Sequence, residues 1–358
     1  MFRFDRGAAR RTDGHANRRN RAMIGKVRMP KIGRWSLLVA GAVGLAGCSF
    51  DLSEPPPHIL VADNLYADPA GFEAGLAALY TQVRKEREGL DGANSLRHQM
   101  WTVGVDNAFT NYQSTFERIP NEWGVRNNPL VAEYQQVWTW LYRTINGANT
   151  IINRAENPDI PWTLEQKNRV VAEARLFRAW AYRHLTYLWG DVPLNLEESS
   201  GENIRTDWER APKAEVWAQM EQDLLFAEQH LPEFTDPARL SKAVARHYLA
   251  ELYLAMDRPA EAEHMANLVI NSGHYSLITQ RYGVRANEPG VPFMDQFYDG
   301  NVNRSEGNTE ALWVLQFEPY VVGGGESIMR RYWVNRYYSI RGLKVTAEYG
   351  GRGIGRFS

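Results

Sequence analysis

The residues best suited to ligand chemistry are aromatics interleaved with amides. Between residues 94 and 127 stand Trp101, Asp106, Asn107, Phe109, Asn111, Tyr112, Gln113 and Trp123, with no helical period. Aromatic faces stack on the apolar faces of sugar rings, and Asn, Asp and Gln side chains bond the hydroxyls at their edges. The composition therefore suits a saccharide surface; the competing reading is loop aromatics packed onto a scaffold. Trp101, Asn107 and Tyr112 head the candidate set, and Asp106 and Asn111 complete it. A second aromatic group, Tyr320, Trp333, Tyr337 and Tyr338, has the same character, with Tyr320 and Trp333 the candidates.

Other chemistries fit less well. Asp299-x-Asn301-x-Asn303 with Glu310 in twelfth place imitates a calcium loop, but Arg304 occupies the sixth position, where the turn needs Gly. Gly323-Gly-Gly-Glu326 lacks the Gly-Lys-Ser/Thr of a phosphate loop and reads as a turn. His184, His230, His247, His264 and His274 show no metal-ligand spacing and are expected on solvated or half-buried helix faces. No serine nucleophile elbow occurs. Glu117 with Glu122, or Asp106 with Glu117, could supply the carboxylate pair of a glycosidase. No cofactor and no metal are expected.

The single cysteine excludes intramolecular disulfides and multi-cysteine metal sites. Its setting gives it another role. Residues 35–47, WSLLVAGAVGLAG, carry no charge and are too short to span a bilayer. Lys31 and Arg34 flank them, and Leu45-Ala46-Gly47-Cys48 follows the pattern of a bacterial lipoprotein cleavage box. Cys48 is then the acylated N-terminus of a mature chain, tied to a lipid bilayer through a tether that includes Pro55-Pro56-Pro57. Met29 opens a complete signal of this kind, so residues 1–28 read as translated upstream sequence. The net charge of −1 conceals two unlike parts: residues 1–34 hold eleven basic and two acidic side chains, which leaves −10 to the rest. A nucleic-acid binder would keep its basic residues on the folded body, so nucleic acid is not an expected partner.

The elements that must position these residues are helical. Apolar residues recur at three- and four-residue spacing over 70–88, 130–155 and 163–189, and three further helices fit 212–231, 239–256 and 259–271. Thr163 is placed as an N-cap, Gly190 as a helix stop, and Pro259 at a first turn. Trp138, Phe177, Trp180 and Tyr253 lie on apolar stripes and are expected in the core. Arg246-x2-Leu249-Ala250-x2-Tyr253, with Ala262 twelve residues after Ala250, follows a tetratricopeptide pattern. After Ser272 the helical period fades, and 311–318, ALWVLQFE, reads as a strand.

Taken in order, Glu173-Ala-Arg-Leu-Phe-Arg-Ala-Trp-Ala-Tyr182 with Leu188-Trp-Gly-Asp-Val-Pro193, then Arg239-Leu-Ser-Lys-Ala243 with Ser272-Gly-His-Tyr-Ser-Leu277, then Phe293 through Trp313, resemble the SusD/RagB family of outer-membrane nutrient-binding lipoproteins. The resemblance implies a mainly α fold: tetratricopeptide-like hairpins in a right-handed superhelix, carrying an irregular, loop-rich binding region with a few short strands. It implies a surface-exposed lipoprotein of the cell outer membrane that captures an oligosaccharide or peptide. It also implies a partner, a SusC-type TonB-dependent barrel, and no catalysis. The family places binding-loop residues where 94–127 lies. Its members run longer, so an incomplete C-terminal region is expected. The domains are then 1–28, the signal 29–47, Cys48 and tether 48–69, helical scaffold 70–272 and irregular region 273–358. An all-helical glycoside hydrolase and a helical-repeat interaction scaffold are the alternatives.

Overall fold

In the computed structural model the described residues are 62–87, 105–106, 108–110, 122, 124, 127–201, 203–235, 238–318, 321–325, 327 and 355–357. All lie in the unit Leu60–Ser358. Cys48 and the leader fall outside the described residues.

The chain opens with a four-residue helix, α1 (Ala62–Leu65), laid against α2 (Pro69–Arg84). Asp68 caps α2, its carboxylate accepting from the Gly71 N–H at 2.9 Å, and Pro69 takes the first turn, where no N–H is needed. One stripe of α2, Phe72, Leu76, Leu79 and Val83, is buried. Gly71 and Gly75 are buried beside it and let the preceding chain approach. A Cβ on Gly71 would stand 1.5 Å from the Leu65 carbonyl oxygen, and one on Gly75 2.6 Å from the Tyr66 hydroxyl. Gly71→Ala is therefore expected to lower the unfolding free energy by about 1–3 kcal/mol, the usual cost of overpacking. Gly124→Ala, at a helical position where a Cβ meets nothing within 4 Å, is the control in the same urea titration and should not lower the unfolding free energy.

The scaffold continues through α3 (Ala132–Arg154), α4 (Leu164–Trp189), α5 (Lys213–His230), α6 (Lys242–Ala255) and α7 (Pro259–Ile270). Helix α4 starts at a capping box: the Thr163 hydroxyl accepts from the Gln166 N–H, and the Gln166 side chain accepts from the Thr163 N–H. It stops at Gly190, whose φ of +71° is open to glycine. Each helix from α3 to α7 packs on the next, and α2 packs on both α3 and α4. The core follows this stack. Phe177, Tyr182 and Leu185 of α4, Leu141 and Ile145 of α3 and Leu224 of α5 are all shut off from solvent. Trp180 and Tyr253 are buried as expected, and Trp138 packs half-buried against Tyr142 and Trp189. In the α6–α7 hairpin a three-residue turn, Met256–Arg258, brings the buried Ala262 against α6.

Beyond α7 the chain is irregular, with a short helix α8 (Pro292–Asp295) and single 3-10 turns at Gly283–Arg285 and Arg304–Glu306. Two three-residue strands, β1 (Ala108–Thr110) and β2 (Gly355–Phe357), pair antiparallel with Ala108 opposite Phe357. The strand expected at 311–318 is not formed. The segment is extended but has no ladder partner among the described residues; it lies on helices instead. Its apolar side chains Leu312, Trp313 and Leu315 pack on the helical core, and Trp313 meets the rings of Tyr80 and Phe177 at 6.4 and 6.3 Å. Arg84 of α2 donates to the Gln316 carbonyl at 3.3 Å. Gly323-Gly-Gly is a turn, with Gly324 N–H bonded to Val321 O and Gly323 and Gly325 at positive φ.

Candidate ligand-binding site

Helix α2 ends at Arg84 and α3 begins at Ala132, so the 94–127 candidate stretch leaves and rejoins the scaffold between these two helices. An open cleft of about 400 Å³ lies where they meet. Gln82 and Lys85 line one wall; Gln135, Gln136, Thr139 and Arg143 line the other. Trp140 is held beneath them: its indole N–H donates to the Gln82 carbonyl at 2.8 Å, and its ring meets Trp180 edge-on at 5.6 Å. The described lining thus offers amides, a hydroxyl and two cations, a set that bonds hydroxyl groups in both directions.

Of the sequence candidates, Asp106 is exposed in a turn beside Val105. Trp101, Asn107, Asn111, Tyr112, Tyr320 and Trp333 lie outside the described residues, as does Glu117 of both carboxylate pairs. Three residues of the calcium-like pattern have another task. The Asn301 amide is buried, donating to the Asp295 carbonyl at 2.9 Å and accepting from Val284 N–H at 2.8 Å. Asn303 caps the Arg304–Glu306 turn, and Glu310 accepts from Ile278 N–H at 2.7 Å. Among the described residues no three His, Cys, Asp or Glu are grouped to hold a metal.

Of the five histidines named above, four sit on exposed or half-buried positions; His184 does not. It is buried in α4 against Trp180, ring centroids 4.4 Å apart, with Glu86 3.8 Å from its Nε2. Burial pushes its imidazole below the ordinary value, against the pull of Glu86. The expectation failed because α4 is covered by α2, α3 and α5 and has little solvated face to offer.

Two ionic groups, one buried and one half-buried around Glu173, escaped the sequence reading. In the first, Arg178 of α4 grips both oxygens of Asp223 on α5 at 2.7 and 2.8 Å, and donates to Asn149 of α3 at 2.8 Å. Asn149 in turn holds the Asn195 and Glu197 carbonyls, each at 3.0 Å. In the second, Glu73 of α2 and Glu173 of α4 are both bonded by Arg169 and by Arg239. The Tyr80 hydroxyl donates to Glu173 at 2.6 Å and accepts from Leu240 N–H at 2.9 Å. Burial, with the Glu173 carboxylate beside it, pushes the Tyr80 phenol well above its ordinary value, so it remains a donor. The available signal was a charge amid apolar neighbours: Arg178 stands between Phe177 and Ala179 on a face that must be buried, and buried charges need partners.

No described helix is long and apolar enough to cross a membrane. Residues 62–254 match a SusD-like family described as starch-binding, associating with the outer membrane. SusD-like protein P2 of Formosa agariphila is 28% identical over 316 residues, which cover 86% of this chain and 56% of that protein. The fold is shared with a SusD-like carbohydrate binding protein from Bacteroides fragilis, with a TM-score of 0.62 at 17% identity over 82% of this chain and 52% of that one. It is shared also with a laminarin binding SusD-like protein, TM-score 0.51 at 24% identity over 59% and 47%. The chain spans about half the length of the relatives it matches. The family match runs from α1 to within α6, the same stack of helices that carries the buried Arg178 and Glu173 groups, and on that ground the chain belongs to the SusD-like family.

Proposed function

We propose that this protein is a surface-exposed outer-membrane lipoprotein, anchored through an acylated Cys48, that captures an oligosaccharide or a peptide. It delivers the captured nutrient to a SusC-type TonB-dependent barrel. The helical pairs form a right-handed superhelix that presents the irregular regions, and no bond of the ligand is broken. The observation that carries this reading is the cleft between α2 and α3, lined by amides and cations at the root of the aromatic-rich 94–127 stretch. The cleft supplies hydrogen bonds to hydroxyls; Trp101 and Tyr112 supply stacking faces, with Asp106, Asn107 and Asn111 beside them, and Tyr320 and Trp333 contribute from the far end of the chain. A relative of the same fold is a laminarin binding protein, which makes laminari-oligosaccharides the first ligands to try.

Trp101→Ala is expected to weaken laminaritetraose binding about tenfold or more, as loss of a stacking anchor does, with an unchanged melting temperature. An equal fall in melting temperature would place Trp101 in the core. Release of new reducing ends by the unmodified chain would replace capture by hydrolysis. A detergent extract that yields no large barrel with the lipoprotein would remove the delivery step.

A further inference from the structure

A second cleft, of about 280 Å³, uses another face of α2. Tyr80, Thr81 and Arg84 form one wall, Arg239 the approach to α6, and Trp313 and Gln316 of the extended segment the other wall. Two side chains here hold donors without a protein acceptor among the described residues. The Trp313 indole N–H is buried without a partner. Arg239 spends Nη2 on Glu73 and Glu173, at 3.1 and 2.8 Å, and its Nε and Nη1 hydrogens have no protein acceptor among the described residues. Two nearby acceptors are taken: the Tyr80 hydroxyl by Leu240, the Gln316 carbonyl by Arg84. Glu73 and Glu173 are balanced by Arg169 and Arg239. A buried N–H without an acceptor is costly, and a guanidinium fork fits the two oxygens of a carboxylate. Beside these donors stand the Tyr80 and Trp313 rings, 6.4 Å apart, which suit the apolar face of a pyranose.

We propose that this cleft binds the carboxylate of a uronic-acid unit, so that the protein recognises acidic saccharides at a site separate from the α2–α3 cleft. The saccharide rests on the capture reading above; the acid group rests on this cleft alone. The test is isothermal titration of the full chain at low salt with tetragalacturonate, its methyl ester and laminaritetraose. The acid should bind about tenfold more tightly than the ester, the usual scale of a charge-assisted bond. Trp313→Phe, which keeps the ring and removes the donor, should erase most of that preference and leave laminaritetraose binding and the melting temperature unchanged. If Trp313→Phe melts early, Arg239→Lys keeps the charge beside Glu73 and Glu173, loses the fork, and should show the same loss of preference. Equal binding of acid and ester, or a preference that survives in the folded variant, overturns the proposal. Binding of laminaritetraose without either galacturonate overturns it while capture stands; binding of none of the three overturns it together with the saccharide form of the capture reading.

Discussion

Arg178→Leu is expected to cost about 3–5 kcal/mol of unfolding free energy, the penalty for leaving one charge of a buried pair without its partner. The Arg178 and Asp223 side chains are 4% and 0% exposed. With Arg178 gone, Asp223 retains a Gln219 amide at 3.1 Å and no bonded cation, and the Asn149 side-chain oxygen loses its donor. Desolvating two ions offsets much of their attraction, so the pair itself contributes little net stability; the large number belongs to the half-pair. Arg178→Leu combined with Asp223→Leu should therefore recover part of the loss. Urea titration of the two single variants and the double one checks this. A double variant less stable than either single one would mean that the pair is a net stabiliser. The surface pair Arg205–Asp207, 54% and 78% exposed, is the contrast, and its removal should not be measurable.

Phe177→Ala should lower stability by about 3–5 kcal/mol, the range for emptying an aromatic site in a packed core. Phe177 has no solvent exposure. Tyr80 of α2 meets its ring edge-on at 4.8 Å, and Trp313 lies 6.3 Å away. The cavity would thus open under α2 and the extended segment together. A second readout follows: protease cleavage within 311–318 should rise more in Phe177→Ala than in a variant of equal stability on α7. A loss under 1 kcal/mol would show that the surrounding side chains collapse into the space.

The helices were legible because local chemistry specifies them. Six expected spans agree with α2 to α7 to within a few residues, and Thr163, Gly190 and Pro259 act where they were assigned. The segment 311–318 was misread because composition reports a preference for extended backbone, while a strand also needs a neighbour to pair with. His184 and Arg178 were opaque for another reason. Their surroundings come from segments up to 98 residues away in sequence, as with Glu86 and His184, and helical spacing shows which face a residue occupies but not what covers it. Gly71 and Gly75 were equally silent: the approach of Leu65 and Tyr66 is set by a bend between two helices. The candidate site was legible as composition, and its α2–α3 root as the gap between two periodic segments. The partition of Trp101, Asn107 and Tyr112 between binding and packing depends on neighbours that spacing does not supply.

The stacking of each helix on its successor also sets an order of assembly. From α3 to α7 every helix finds its neighbour across a single connection, the shortest being Met256–Arg258, so the entropy lost in closing each loop is modest. The ties of the extended segment are of another kind: Arg84 reaches the Gln316 carbonyl across 232 residues of sequence. Contacts so distant along the chain form after the local ones and open before them. The α2–313–316 cleft is therefore built at the seam between an early-folding stack and a late-arriving strap, and its walls share one cooperative step with the docking of that strap.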